Sequence, residues 1–295
     1  MDLVRQSTGE IQAHTGGGPF NTARTLGRLG APVAYMGRLS SDSFGELLTT
    51  ALKADHVQLD SAPSTDDPTT LALAQLDESG SASYRFYTAG TSVPGLTPEA
   101  ALSHLPSDVT AVHIGTLGLV LEPFATAAQA VLDSVIAAAV VVIDPNIRPL
   151  MIPDRDRYLE RLAHFVRRAT VVKVSDEDLA WMSPGASIPD AAATILGDGA
   201  GLVLVTKGAS GVDIFGRSFT RHVAAPIIDV VDTIGAGDSF AGGILAWWHA
   251  NDHADLTSES NAVMAAEFAV RVAAITCTRA GANPPTSDEL TLALD

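Results

Sequence analysis

One cysteine, Cys277, is all that this 295-residue chain carries. An internal disulfide is therefore excluded, and a reducing, cytoplasmic setting is expected. Basic side chains are also scarce: 18 Lys and Arg stand against 34 Asp and Glu, a net charge of −16. That balance argues against nucleic acid or an anionic membrane as a partner. No apolar run approaches the length of a membrane span, so none is expected. The first residues lack the basic-then-apolar order of a secretory signal. No Gly-Lys pair occurs, which rules out a Walker A loop, and no Gly-x-Ser-x-Gly, which rules out a nucleophile elbow.

Hydrophobic residues make up 46% of the chain and charged residues 18%, enough apolar material for a large core. Short apolar runs at Val33 to Met36, Ala111 to Ile114, Val140 to Ile143, Val171 to Val174 and Leu202 to Val205 predict buried strands. Helical-period segments such as Phe124 to Ala138 and Ala191 to Leu196 lie between them. This alternation predicts an α/β fold with a mainly parallel sheet and helices on both faces. No linker or repeat divides it, so 1–295 reads as one domain. A hairpin is expected from Thr69 to Leu76 and Ser81 to Thr88, across the polar turn 77–80.

The richest segment is Asp232-Thr233-Ile234-Gly235-Ala236-Gly237-Asp238-Ser239-Phe240, ahead of a helical stretch from Ala241 to His249. Two glycines permit a tight turn, and the helix start offers unpaired N–H groups to an anion. A carboxylate there repels phosphate, so Asp238 makes chemical sense as the acceptor of a proton from an attacking hydroxyl. Read alone, the turn is equally a loop in which Asp238 caps a helix. It is not a dinucleotide fingerprint, because Phe240 occupies the third glycine position.

The whole run resembles the C-terminal signature of the ribokinase-like (PfkB) carbohydrate kinases. Gly16-Gly17-Gly18-Pro19-Phe20-Asn21-Thr22-Ala23, closed by Leu29-Gly30, resembles the family's N-terminal glycine motif. The similarity runs from about Asp2 to about Pro285. It implies a ribokinase-like three-layer sandwich with a small β-lid, built from about 3–15 and 67–93, that closes over a sugar. It implies ATP and Mg²⁺ as cosubstrate and cofactor, K⁺ as an activator, and a homodimer formed through the lid.

By the same resemblance, Asp238 is the base, and Gly235, Ala236 and Gly237 form the anion hole. Asp2, Gly16, Gly17, Asn21, Arg85 and Arg148 fall on the sugar side. Asn146, Lys173, Thr206, Gly208, Gly211, Val270 and Ala274 fall on the nucleotide side. Asp178 stands where many members carry Glu, and serves Mg²⁺ through water. Asp232 and the Ile234 carbonyl match a K⁺ site. Gly18-Pro19-Phe20 and Asp144-Pro145-Asn146-Ile147-Arg148 point to a fructokinase-like enzyme. Arg148 and the Tyr84-to-Tyr87 arm keep 2-keto-3-deoxygluconate kinase open, and the Ser175-to-Asp178 departure keeps a non-catalytic binder open. Members of the family open with a strand ahead of the residue matched by Asp2, and an upstream start is expected on that ground.

Overall fold

A computed structural model of the chain describes residues 1–5, 9–76 and 82–292. Its strands are β1 (Asp2–Arg5), β2 (Ile11–His14), β3 (Leu39–Ser40), β4 (Ser64–Thr65), β5 (Leu71–Leu76), β6 (Ala82–Tyr87), β7 (Ala111–Gly115), β8 (Val140–Asp144), β9 (Val171–Ser175), β10 (Leu202–Thr206), β11 (Val212–Gly216) and β12 (Thr220–Val223). Its helices are α1 (Gly18–Arg28), α2 (Ser43–Ala54), α3 (Pro98–Ser103), α4 (Phe124–Ser134), α5 (Arg155–Val166), α6 (Asp176–Met182), α7 (Ile188–Gly197), α8 (Ala236–Ala250), α9 (Glu259–Cys277) and α10 (Ser287–Leu292).

Six strands form the central sheet in the order β12-β11-β10-β9-β8-β7. β7 to β10 run parallel, and β11 and β12 turn back antiparallel. Successive side chains on a strand point to opposite faces. Val141, Ile143, Val172, Val174, Val203 and Val205 accordingly enter one core, with α4, α5 and α7. Val142, Val171, Leu202 and Leu204 enter a second core, with α8 and α9. Both faces are covered, which is why these strands read as continuous apolar runs. Helix α4 stops at Ser134, short of the expected Ala138, because Val135 is already extended (φ −71°, ψ 149°).

Residues 33–36 depart from the predicted strand. They make one isolated parallel bridge, Ala34 to Gln58, and join no ladder. Among the described residues, β7 pairs with β8 alone. Between them lies a cavity of about 470 Å³, lined by Val33 to Met36, by β7 and by residues of α4. A strand holds its shape through ladder partners, and the described neighbours give this segment only Gln58.

The lid is a separate four-stranded sheet, ordered β2-β1-β5-β6. β5 and β6 pair antiparallel from Leu71↔Tyr87 to Leu76↔Ala82, and β1 lies parallel to β5. The turn predicted at 77–80 falls outside the described residues.

Helix α9 corrects the reading that no long apolar span exists. Its 19 residues reach a mean hydropathy of 1.2 over an 18-residue window. Ala262, Ala265, Ala266, Ala269 and Val270 pack it into the second core, as a core helix of this fold.

Candidate active site

The parallel strands end at Gly115, Asp144, Ser175 and Thr206, along one edge of the sheet. Ligands in open α/β sheets bind at that edge. Helix α8 starts beside it. Gly235 sits in the left-handed region (φ 77°), and a Cβ there would lie 2.5 Å from the Ala282 Cβ. Only glycine meets both demands. The turn is braced by Asp232, which accepts from the Ile234 N–H at 3.0 Å and the Gly281 N–H at 2.8 Å. Asp232 thus braces the turn that leads into α8 through the protein's own N–H groups.

Asp238 lies in the first turn of α8 and is buried (8% exposed). Asn21 Nδ2, from α1, donates to its Oδ2 at 2.8 Å, and the Thr22 hydroxyl donates to its backbone carbonyl at 3.2 Å. The Asn21 Oδ1 is buried without a partner among the described residues. Such an acceptor suits a ligand hydroxyl. Burial raises the Asp238 pKa, while the Asn21 bond and the Lys173 and Arg148 charges draw it down and Asp2 pushes it up.

Gly18 lies where several of these side chains converge. A Cβ on it would lie 2.5 Å from Thr116 Oγ1 and 3.3 Å from both Asn146 Nδ2 and Asp238 Oδ1. Thr116 (φ 52°) and Asn146 (φ 40°) are both left-handed, and the Asn146 amide donates to the Thr116 hydroxyl at 3.3 Å. Two adjacent strand ends thus hold uncommon backbone at one place, as functional sites often do. Arg148 donates to the Asn146 Oδ1 at 2.7 Å and to two nearby carbonyls. Its guanidinium is turned onto this loop.

Asp2, on β1, approaches the same glycine segment, with Oδ2 1.9 Å from where a Gly16 Cβ would stand. Burial raises its pKa, and the chain amine, His14 and Arg148 oppose that rise. Gly17 precedes α1 at φ 129°, where a side chain would be strained. Arg85 sits exposed on β6, across from Leu73 on β5.

Several residues predicted for the nucleotide side make contacts within the protein. Lys173 is buried (4% exposed) and held by Asp144 at 3.0 and 3.2 Å, beneath the first turn of α8. Val270 and Ala274 are buried in α9, with Val270 in the second core. Asp178 accepts from the Ile147 N–H at 2.8 Å and the Ser175 N–H at 3.1 Å, inside a capping box at the start of α6. Thr206 ends β10 and donates to the Val174 carbonyl at 3.3 Å. Gly208 and Gly211, both at positive φ, turn the chain into β11.

Among the described residues, no group of three or more His, Cys, Asp and Glu is placed to hold a metal. His249 and His253 are four apart, but His253 stacks on Trp248 at 4.1 Å. Magnesium keeps several waters and leans on phosphates, so a phosphate-borne ion beside Asp178 suits this donor set. Sequence reasoning passed over Asp144 and Thr116. A charge inside the apolar run Val171-Val172-Lys173-Val174 was the available signal for a buried pair.

Comparison with known proteins supplies a frame for this geometry. The model of the pfkB family carbohydrate kinases matches residues 2–289. The fructokinase of Rhizobium leguminosarum bv. trifolii is 39% identical over 233 residues, 79% of this chain and 71% of that protein. The crystal structure of Xylella fastidiosa fructokinase with bound ATP superposes with a TM-score of 0.88 at 29% identity, covering 99% of this chain and 94% of that one. Vibrio cholerae O395 fructokinase, solved with fructose, ADP and calcium, gives 0.86 at 25% identity, covering 100% and 96%.

Proposed function

This chain belongs to the pfkB family of carbohydrate kinases, and from that premise we propose that it phosphorylates a primary hydroxyl of fructose or a close ketose. It is an ATP-dependent sugar kinase of fructokinase-like type. The observation that carries the mechanism is the Asn21–Asp238 contact within reach of the α8 N-terminus.

In this reading the sugar enters between Asp2, Asn21, Gly18 and Arg148. Its hydroxyl fills the acceptor role left open at Asn21 and presents its proton to Asp238. Attack on the γ-phosphorus forms the new O–P bond as the bond to the β-phosphate oxygen breaks, and the proton passes to Asp238. The N–H groups of Gly235, Ala236 and Gly237 stabilise the charge on the transferring group. The β- and γ-phosphates lie toward Asn146, Thr206, Gly208 and Gly211, at the strand ends. Asp178 supports Mg²⁺ through water, and the ion supplies charge neutralisation when bound. The Asp232 carboxylate and the Ile234 carbonyl would hold K⁺, at a turn already braced at Gly281. The lid of β1, β2, β5 and β6, with Arg85 on its outer arm, closes over the sugar and excludes competing water. All of 1–295 works as one domain in the cytoplasm. Two copies pair through the lid, supported by the exposed β2 edge and its Ile11.

An ADP-release assay with fructose, tagatose, ribose, adenosine and 2-keto-3-deoxygluconate, with Mg²⁺ and with or without K⁺, tests this reading. Turnover is expected with fructose first. Preference for 2-keto-3-deoxygluconate would reassign the substrate to an acidic sugar gripped by Arg148. A melting shift with sugar and no ADP would make the chain a binder.

A further inference from the structure

Lys173 is the most deeply buried cation near the site. Its ammonium lies 3.0 and 3.2 Å from the two oxygens of Asp144, itself 2% exposed. A methyl on Gly237 would come within 2.8 Å of the same nitrogen. The charge therefore sits directly under the anion hole, with no room for a side chain between. A buried ion pair costs desolvation and adds little stability by itself. Lys173 stands in register with Leu204 of β10, a residue of the second core. A fixed charge at this point is thus better explained by what it acts upon.

We propose that Lys173, anchored by Asp144, is a positioning residue for phosphoryl transfer, holding a positive charge beneath Gly237 that keeps Asp238 ionised and supports the anion hole from behind. The proposal rests on the kinase reading above, and it removes Lys173 from direct contact with the nucleotide. The groups that face Asp238 are Asn21 from α1, Lys173 from β9, Arg148 after β8 and Asp2 from β1. Asp144 from β8 faces it as well. Lys173 itself faces Asp144, Asp178 and Asp238, which hold its charge in place against burial. His113 on β7 adds no competing charge, since burial and then Lys173 push its pKa down to about 4. Asp144 is raised to about 6 by burial, with Lys173 drawing it back, so the pair stays ionic at neutral pH.

The test compares wild type, Lys173→Met and the double variant Lys173→Met/Asp144→Asn, each assayed with sugar and ATP across pH. Asp238→Asn runs alongside. Removing the ammonium should lower kcat about 10²-fold while both KM values stay within about threefold. The acid limb of kcat/KM should move up by about one pH unit, because Asp238 loses a nearby cation. The double variant removes both buried charges and should regain wild-type melting, yet keep the low kcat and the raised limb. Recovery of wild-type kcat together with wild-type melting would make the pair structural and overturn the proposal. A raised KM for ATP at constant kcat would return Lys173 to the nucleotide and overturn it equally. Should the double variant not fold, Lys173→Arg replaces it. Retained turnover with the wild-type limb supports the charge role, and a displaced limb refutes it. Wild-type turnover in Asp238→Asn, or none in wild type, brings down the kinase mechanism itself and separates that failure from this one.

Discussion

Asn21 and Asp238, 217 residues apart in the chain, meet at 2.8 Å, with the amide donating to the carboxylate. The contact fixes the direction in which Asp238 presents its second oxygen. It also lowers a pKa that burial raises. Asn21→Ala should therefore shift the acid limb of kcat/KM to higher pH, since the base must be ionised to accept a proton. A hydrogen bond to a charged group is worth about 1.5–3 kcal/mol, which corresponds to about one to two pH units. The same variant should raise KM for the sugar. A pH–rate profile with sugar titrations at each pH checks both, and an unmoved limb would count against the contact as a tuning device.

Asp238→Asn should lower kcat by about 10²–10⁴-fold, the usual worth of a general base, with sugar affinity kept. Calorimetric titration with the sugar, beside the ADP assay, separates the two effects. Near-wild-type turnover in this variant would remove Asp238 from the mechanism.

Gly235→Ala forces an alanine to φ 77° and brings its methyl to 2.5 Å from Ala282. Strain of this kind costs about 1–3 kcal/mol. Urea unfolding should register that loss, and turnover should fall further than stability does, because the anion hole is displaced. A variant as stable and active as wild type would mean that the turn relaxes freely.

Asp42 caps α2 and also accepts from the Thr69 N–H at 2.7 Å and the Thr69 hydroxyl at 2.6 Å, tying the helix to the segment that enters β5. Partial burial pushes its pKa up, but these bonds overcome that and hold it at about 2. A carboxyl depressed on folding contributes stability above its unfolded value, near 3.8, and loses it as pH falls toward 2. Asp42→Asn should thus be less stable than wild type at pH 5, with the gap narrowing between about pH 4 and pH 2. Denaturant melts along that series decide the matter, and a constant gap would assign the effect to packing.

Asp178→Ala leaves the Ile147 and Ser175 N–H groups without their acceptor. A loss of about 1–3 kcal/mol is expected, seen in urea melts. The Mg²⁺ concentration for half-maximal rate, measured on the same sample, shows whether the carboxylate also serves the ion. An unchanged melt would contradict the capping role.

The fold was readable wherever burial was complete. The apolar runs at Ala111, Val140, Val171 and Leu202 became parallel strands with boundaries within one residue of expectation. Strands buried on both faces show as short continuous apolar runs. The run at Val33 misled, because an apolar stretch becomes a strand only with partners, and these lie elsewhere in the chain. Helix α9 misled in the opposite way. Its alanines read as ordinary, yet together they pass the hydropathy of a membrane span.

Within the site, the chain order alone determined the glycine turn, the acid after it and the Asn of the first helix, because each is a local requirement of backbone or charge. The sequence also determined the acidic balance, which forces any bound phosphate to rely on N–H groups and a few placed cations. Only the tertiary structure decided what those residues do to one another. It put Asn21 on Asp238, turned Arg148 onto its own loop, spent Asp178 on backbone donors, and buried Lys173 with Asp144 under the first turn of α8. These outcomes depend on distances between strand ends and on desolvation, and both arise only when the sheet and α8 close around them.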